Sequence, residues 1–139
     1  MPYHKHLTGV KAKDYALNPI ARAVAREKLR RAILDQKIKV YLMEDDEDCA
    51  EFCEGIGLTL AVIGYASELD PKIDQHDSTL KVLRGGLSAC QQMLTTGKWK
   101  KINAVAIDVA LDAAMVLNRD VKADYINTAW HNLTGANTS

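Results

Sequence analysis

Aromatic residues are scarce in this chain, with one Phe, two Trp and five Tyr in 139 residues. Ala, Leu, Ile and Val must therefore fill most of any core. Only three prolines are present, and an alanine-rich, aromatic-poor chain with so few helix breakers favours helix over sheet. Cysteines number three, Cys49, Cys53 and Cys90. An odd count set in apolar helical patterns excludes a disulfide framework and suits reduced thiols. No long apolar run occurs either. The longest stretch, residues 56–66, is interrupted by Gly57, Thr59, Gly64 and Tyr65, short of the roughly 20 residues that span a bilayer. Residues 1–9 are polar and lack the apolar centre of a secretory signal. The expectation is a single cytoplasmic domain without a membrane segment, in which the sequons at Asn132 and Asn137 carry no meaning.

Net charge is also absent, at +0, but only as a sum. Residues 1–43 hold ten basic side chains against Asp14, Glu27 and Asp35, a balance of +7. Residues 44–77 hold eleven acidic side chains against Lys72 alone, or −10, and residues 78–139 return to +3. Blocks of opposite sign that cancel point to charge used for pairing, within the fold or with a partner. At 47% apolar and 26% charged the composition is that of an ordinary globular domain, which excludes disordered and fibrous classes.

Residues 1–17 read as a basic N-terminal arm without sustained period. Asn18-Pro19 opens a helix, with Asn as cap and Pro where its missing N–H costs nothing. Ile20, Ala23, Val24 and Leu34 lie on one side of it and Leu29 and Ile33 almost opposite, so cover on two sides is expected. Arg22, Arg26, Arg30 and Lys37 form a stripe along one face. Residues 37–43 fit a strand or a continued helix, and helix is preferred because no second strand is available for pairing.

Glu44, Asp45, Asp46, Glu47 and Asp48 form an acidic loop suited to a helix N-terminus. Residues 49–69 are apolar nearly all round and predict a buried central helix, with Gly55, Gly57 and Gly64 read as points of close approach. Asp70-Pro71 ends it. Asp77 or Ser78 is expected to cap the next helix, in which Leu80, Leu83, Leu87, Cys90 and Leu94 recur at helical spacing and Gly85-Gly86 serves packing. Thr96-Gly97 is a stop. Asn103 is expected to cap a helix burying Ile102, Ala106, Val109, Ala110, Ala113 and Leu117, with Asp108 and Asp112 opposite. A last helix carries Ile126, Ala129, Trp130 and Leu133, and residues 135–139 should fray. The fold expected is an all-α bundle of about five helices, residues 18–134, around the 49–69 segment.

The acidic run contains no register with the Gly and Glu that an EF-hand loop needs. Cys49 and Cys53 with His4 and His6 could supply four zinc ligands, but their spacing matches no compact zinc pattern. No phosphate-cradling loop, HExxH or GxSxG occurs, and His76 and His131 read as surface residues. The chain is thus read as non-enzymatic, with no cofactor or metal. Two binding classes remain. The Arg22/Arg26/Arg30/Lys37 face and the loop Lys98-Trp99-Lys100-Lys101 would suit phosphate, with Trp99 stacking on a base, although the sequence pI of about 6.9 is low for a nucleic-acid domain. Separated charge patches favour the other class, protein binding, including a homodimer of complementary copies. In general character (short, helical, charge-blocked, without catalytic motifs) the chain is similar to small accessory proteins of bacteriophages and prophages. Many of these bind and block a host protein, including components of bacterial defence systems. The resemblance implies an inhibitor or regulator and assigns no residue. Arg22, Arg26, Arg30, Lys37, residues 44–48 and Trp99 are the expected contact residues, and a nucleic-acid-associated regulator is the alternative.

Overall fold

The computed structural model describes residues 18–135, which form five α-helices and no strand. Helix α1 spans Pro19–Leu42, α2 Cys49–Leu69, α3 Asp77–Thr96, α4 Lys101–Asp120 and α5 Ala123–Thr134, with a short 3-10 turn, Ile73–His76, between α2 and α3. The all-α expectation holds. The basic arm, residues 1–17, and residues 136–139 lie outside the described residues.

Local chemistry explains most of the boundaries. Asn18 Oδ1 accepts the Ala21 N–H at 2.8 Å and Pro19 follows as the first helical residue. Replacing Asn18 with Ala is expected to cost about 1 kcal/mol, read as a lower thermal midpoint with an unchanged far-UV spectrum; an unmoved midpoint would show that the cap is without effect. Helix α1 continues to Leu42, so residues 37–42 are helix. Gly97 and Gly135 close α3 and α5 in the left-handed region, at φ 69° and 71°. Gly135 therefore belongs to a helix end, its N–H donating to the His131 carbonyl at 2.9 Å, and not to a frayed tail. Two expected caps are corrected. Helix α3 starts at Asp77 with His76 in the cap position, and α4 starts at Lys101 after Lys100, which leaves Asn103 inside the first turn.

Helix α2 packs against each of the other four helices. Glu51, Glu54, Gly55 and Leu58 in its first half are exposed, however, and only from Thr59 onward is no position exposed. It is not buried all round. By length and composition α2 could cross a membrane, contrary to the reading of residues 56–66 alone, yet half of its apolar window is buried in this fold.

The glycines divide sharply. A Cβ on Gly86 would stand 2.1 Å from Ala110 Cβ, and one on Gly64 3.3 Å from Leu83 Cδ2, whereas Gly57 and Gly85 face open space. Close approach thus explains Gly86 and Gly64 only. Helix α4 meets α3 at Gly86 through its alanine face, burying Ala104, Ile107, Ala110, Leu111, Ala114 and Leu117. Ile102 and Val109, expected inside, are exposed, because the small residues permit the close approach and turn the face. His76, expected at the surface, is buried with Nε2 3.8 Å from Asp70 Oδ2. Helix α1 buries Leu29, Ile33 and Val40 on one side only. Ile20, Val24 and Leu34 on the other side are exposed, so the expected second cover is not present among the described residues.

Candidate functional site

The basic stripe is largely occupied within the chain. Arg22 grips Asp124 on α5 with two nitrogens, at 2.9 and 3.3 Å, and that carboxylate raises the guanidinium pKa. Arg26 donates to the main-chain carbonyls of Asn118 and Arg119, at the C-terminal end of α4 where carbonyls lack helical partners. The Asn118 amide returns a bond to the Arg26 carbonyl at 3.1 Å. Lys37 pairs with Asp112 and lies 3.6 Å from Asp108, and hydrogen bonding to Asp112 raises its pKa. Arg30 turns along its own helix to Glu27, which also accepts from Arg31; hydrogen bonds from these two arginines hold the Glu27 carboxyl down at about 2. The stripe therefore clamps α1 to α4 and α5. Its partners are Asp108, Asp112 and Asp124, not the acidic loop that follows it in sequence.

That acidic loop is left outward. Glu44, Asp45, Asp46, Glu47 and Asp48 are all exposed, as are Glu51 and Glu54 on the first turns of α2. None of these seven forms an ion pair among the described residues. The loop is ordered by its own carboxylates: Asp45 accepts the Glu47 N–H at 3.1 Å, and Asp46 accepts the Trp99 N–H at 2.6 Å. Asp48 precedes α2 without a side-chain capping bond, so its charge faces the positive helix end without being tied to it.

The bond from Trp99 brings the loop 97–100 against the acidic loop, a juxtaposition that no local sequence signal announces. The Trp99 ring packs against the core and its Nε1 is buried without a hydrogen-bond partner among the described residues. The ring is partly buried, so Trp99 ties its loop to the bundle. Lys98, Lys100 and Lys101 remain exposed beside it, within the negative field of the neighbouring carboxylates.

The thiols face inward. Cys49, Cys53 and Cys90 are free and buried. Burial pushes Cys49 up to about 11, and a hydrogen bond to Cys90, followed by burial, raises Cys53. Thiols held protonated in this way are poor nucleophiles at neutral pH. Among the described residues no group of three or more His, Cys, Asp or Glu is placed to hold a metal ion; His4 and His6 lie outside them. Sequence reading also missed an interaction on the α1/α5 side, where the Lys28 ammonium lies 5.4 Å from the centre of the Trp130 ring, a cation–π contact.

No protein-family model, curated protein or solved structure matches the chain. The functional reading therefore stands on the residues themselves. Among the described residues two surfaces stay exposed: the acidic corner at residues 44–54, whose carboxylates form no ion pair there, and the outer face of α1.

Proposed function

We propose that this protein is a non-enzymatic, cytoplasmic regulator or inhibitor that acts by stoichiometric binding to another protein, in the manner of small phage-type accessory proteins. The acidic corner meets a basic face on the partner. One observation carries the reading: the cations of the α1 stripe are satisfied inside the chain, whereas the seven carboxylates at positions 44–48, 51 and 54 are exposed and form no ion pair among the described residues. A surface of one sign that the fold does not neutralise speeds encounter with an oppositely charged partner and fixes its orientation. The bond from Asp46 to the Trp99 N–H holds the loop in place, which reduces the ordering cost of binding.

The same accounting lowers the nucleic-acid alternative. Arg22 and Arg26 are engaged with α5 and α4, and the lysines that remain exposed at 98, 100 and 101 sit beside carboxylates that repel phosphate. Substituting the arginines would loosen the fold and so does not separate the two readings. The useful comparison neutralises Glu44, Asp45, Glu47 and Asp48 (to Gln, Asn, Gln and Asn), sparing Asp46, against alanine at Lys98, Lys100 and Lys101. Exposed charges contribute about 0–1 kcal/mol each, so the fourfold variant is expected to weaken a purified protein complex at least roughly tenfold while its circular dichroism is unchanged. A complex indifferent to these four charges and to salt would overturn the proposal. Sub-micromolar retention of DNA or RNA that is lost with the three lysines would put the alternative in its place.

A further inference from the structure

The outer face of α1 carries a pattern that the bundle does not use. Ile20, Val24, Glu27, Arg31, Leu34, Ile38 and Tyr41 follow one another at alternating steps of four and three, the spacing of a coiled-coil seam. The apolar members are open to solvent: Ile20 is 77% exposed, Val24 60%, Leu34 40%, Ile38 60% and Tyr41 87%. The opposite side of the same helix, with Leu29, Ile33 and Val40, is the one docked on the bundle. Among the described residues helix α1 thus has an inner seam that is filled and an outer seam that is uncovered.

From this we infer that the outer seam is the contact between two copies of this chain, packed as an antiparallel pair of α1 helices about a two-fold axis. The order of side chains along the seam selects both occupant and direction. In an antiparallel pair centred near Leu29, Ile20 meets Ile38 of the second copy, Val24 meets Leu34, and Glu27 meets Arg31, each contact being repeated by symmetry. Apolar faces apolar and acid faces base in every layer from Ile20 to Ile38, a length of about 27 Å. A parallel, in-register pair would instead set Glu27 against Glu27 and Arg31 against Arg31, at the positions where like charges decide against a pairing. A self-complementary patch of this kind is what a two-fold interface requires.

The surroundings agree. Glu27 and Arg31 already bond within one helix at 3.1 Å, so each copy presents a pre-oriented acid and base at the centre of the contact. The flanking cations are held by their own chain, Lys28 over Trp130 and Arg30 on Glu27. On the α5 side the seam borders an apolar groove of about 510 Å³ lined by Ile20, Val24, Ile126 and Trp130, which a second α1 would cover. The inference does not rest on the acidic corner, and neither surface shares a residue with the other.

Sedimentation equilibrium of the full chain over a dilution series tests it. A monomer–dimer equilibrium is expected for the wild-type chain. Val24→Glu with Ile38→Glu should leave a monomer of unchanged helicity whose thermal midpoint no longer varies with concentration and matches that of dilute wild-type chain, because neither side chain belongs to the core. Glu27→Arg alone should weaken the dimer by about tenfold or more, and so should Arg31→Glu alone. Combining the two swaps should restore it, since the pairing across the axis is then rebuilt in reverse. A wild-type chain that stays monomeric at all concentrations, as it would if residues 1–17 cover the seam, overturns the inference. So does a dimer that survives the paired Glu substitutions, or one not rescued by the double swap. These outcomes leave the partner-binding test at residues 44–48 unaffected.

Discussion

Replacing Gly86 with Ala is expected to destabilise the fold by about 1–3 kcal/mol or more, through overpacking, even though alanine is the better helix former. The added Cβ would lie 2.1 Å from Ala110 Cβ, 3.3 Å from Leu60 Cδ1 and 3.4 Å from the Ala106 carbonyl oxygen. None of these is the loose end of a long side chain, so α3 and α4 would have to separate. The neighbouring Gly85 faces open space, and there the same substitution should stabilise by up to about 1 kcal/mol. Two adjacent glycines in one helix are thus expected to respond with opposite signs in urea unfolding. Moving the methyl across the interface, with Gly86→Ala and Ala110→Gly together, should recover about 0.5–3 kcal/mol relative to the sum of the single changes. Additive single effects would mean that α3 and α4 do not meet at this point.

The second large effect concerns Leu60, fully buried on α2 beneath the same crossing. Leu60→Ala should cost about 2–5 kcal/mol, the lost transfer energy together with the cavity left behind. Against a total stability of about 5–15 kcal/mol, that is a large fraction. Leu58, two residues earlier on the same helix, is exposed, and Leu58→Ala should stay within about 0.5 kcal/mol. Urea midpoints of the two variants give the comparison directly. Equal losses, or a loss below about 1 kcal/mol at Leu60, would show that α2 is not seated on its Leu60 side.

The helices were legible because their stop and start signals are local. Asn18-Pro19, Asp70-Pro71 and Gly97 act through the backbone of the residues beside them, and they end elements where expected. Orientation was less legible, because it depends on partners distant in sequence. Ile102 and Val109 share a periodicity with Ala106 and Leu117, yet the face of α4 turned inward is the one whose alanines can approach Gly86. The partners of the charge blocks were not legible for the same reason. Net charge by segment does not tell which carboxylate meets which arginine, and Asp124, 102 positions from Arg22, was closer in space than the acidic run that follows α1 in the sequence. The outer seam could have been found from its steps of four and three; the charged pair at Glu27 and Arg31 broke up the apolar pattern that would have revealed it.

Helix α1 is attached by bonds that span nearly the whole described chain: Arg22 to Asp124, Arg26 to the end of α4, and Lys37 to Asp112, at separations of 102, 92 and 75 residues. Helices α3 and α4, by contrast, are neighbours in sequence and share the most extensive pairing. Closing a long loop costs entropy that must be met before its contacts form. The order of folding expected from this is a hairpin of α3 and α4 first, the packing of α2 next, and α1 last, when α5 offers the carboxylate that receives it. Of the five described helices, the first to be synthesised is therefore expected to be the last to find its place. Until α5 has been made, the apolar side chains of α1 and α2 that pack against it lack that cover, and exposed apolar surface of this kind is what makes incomplete chains prone to aggregate.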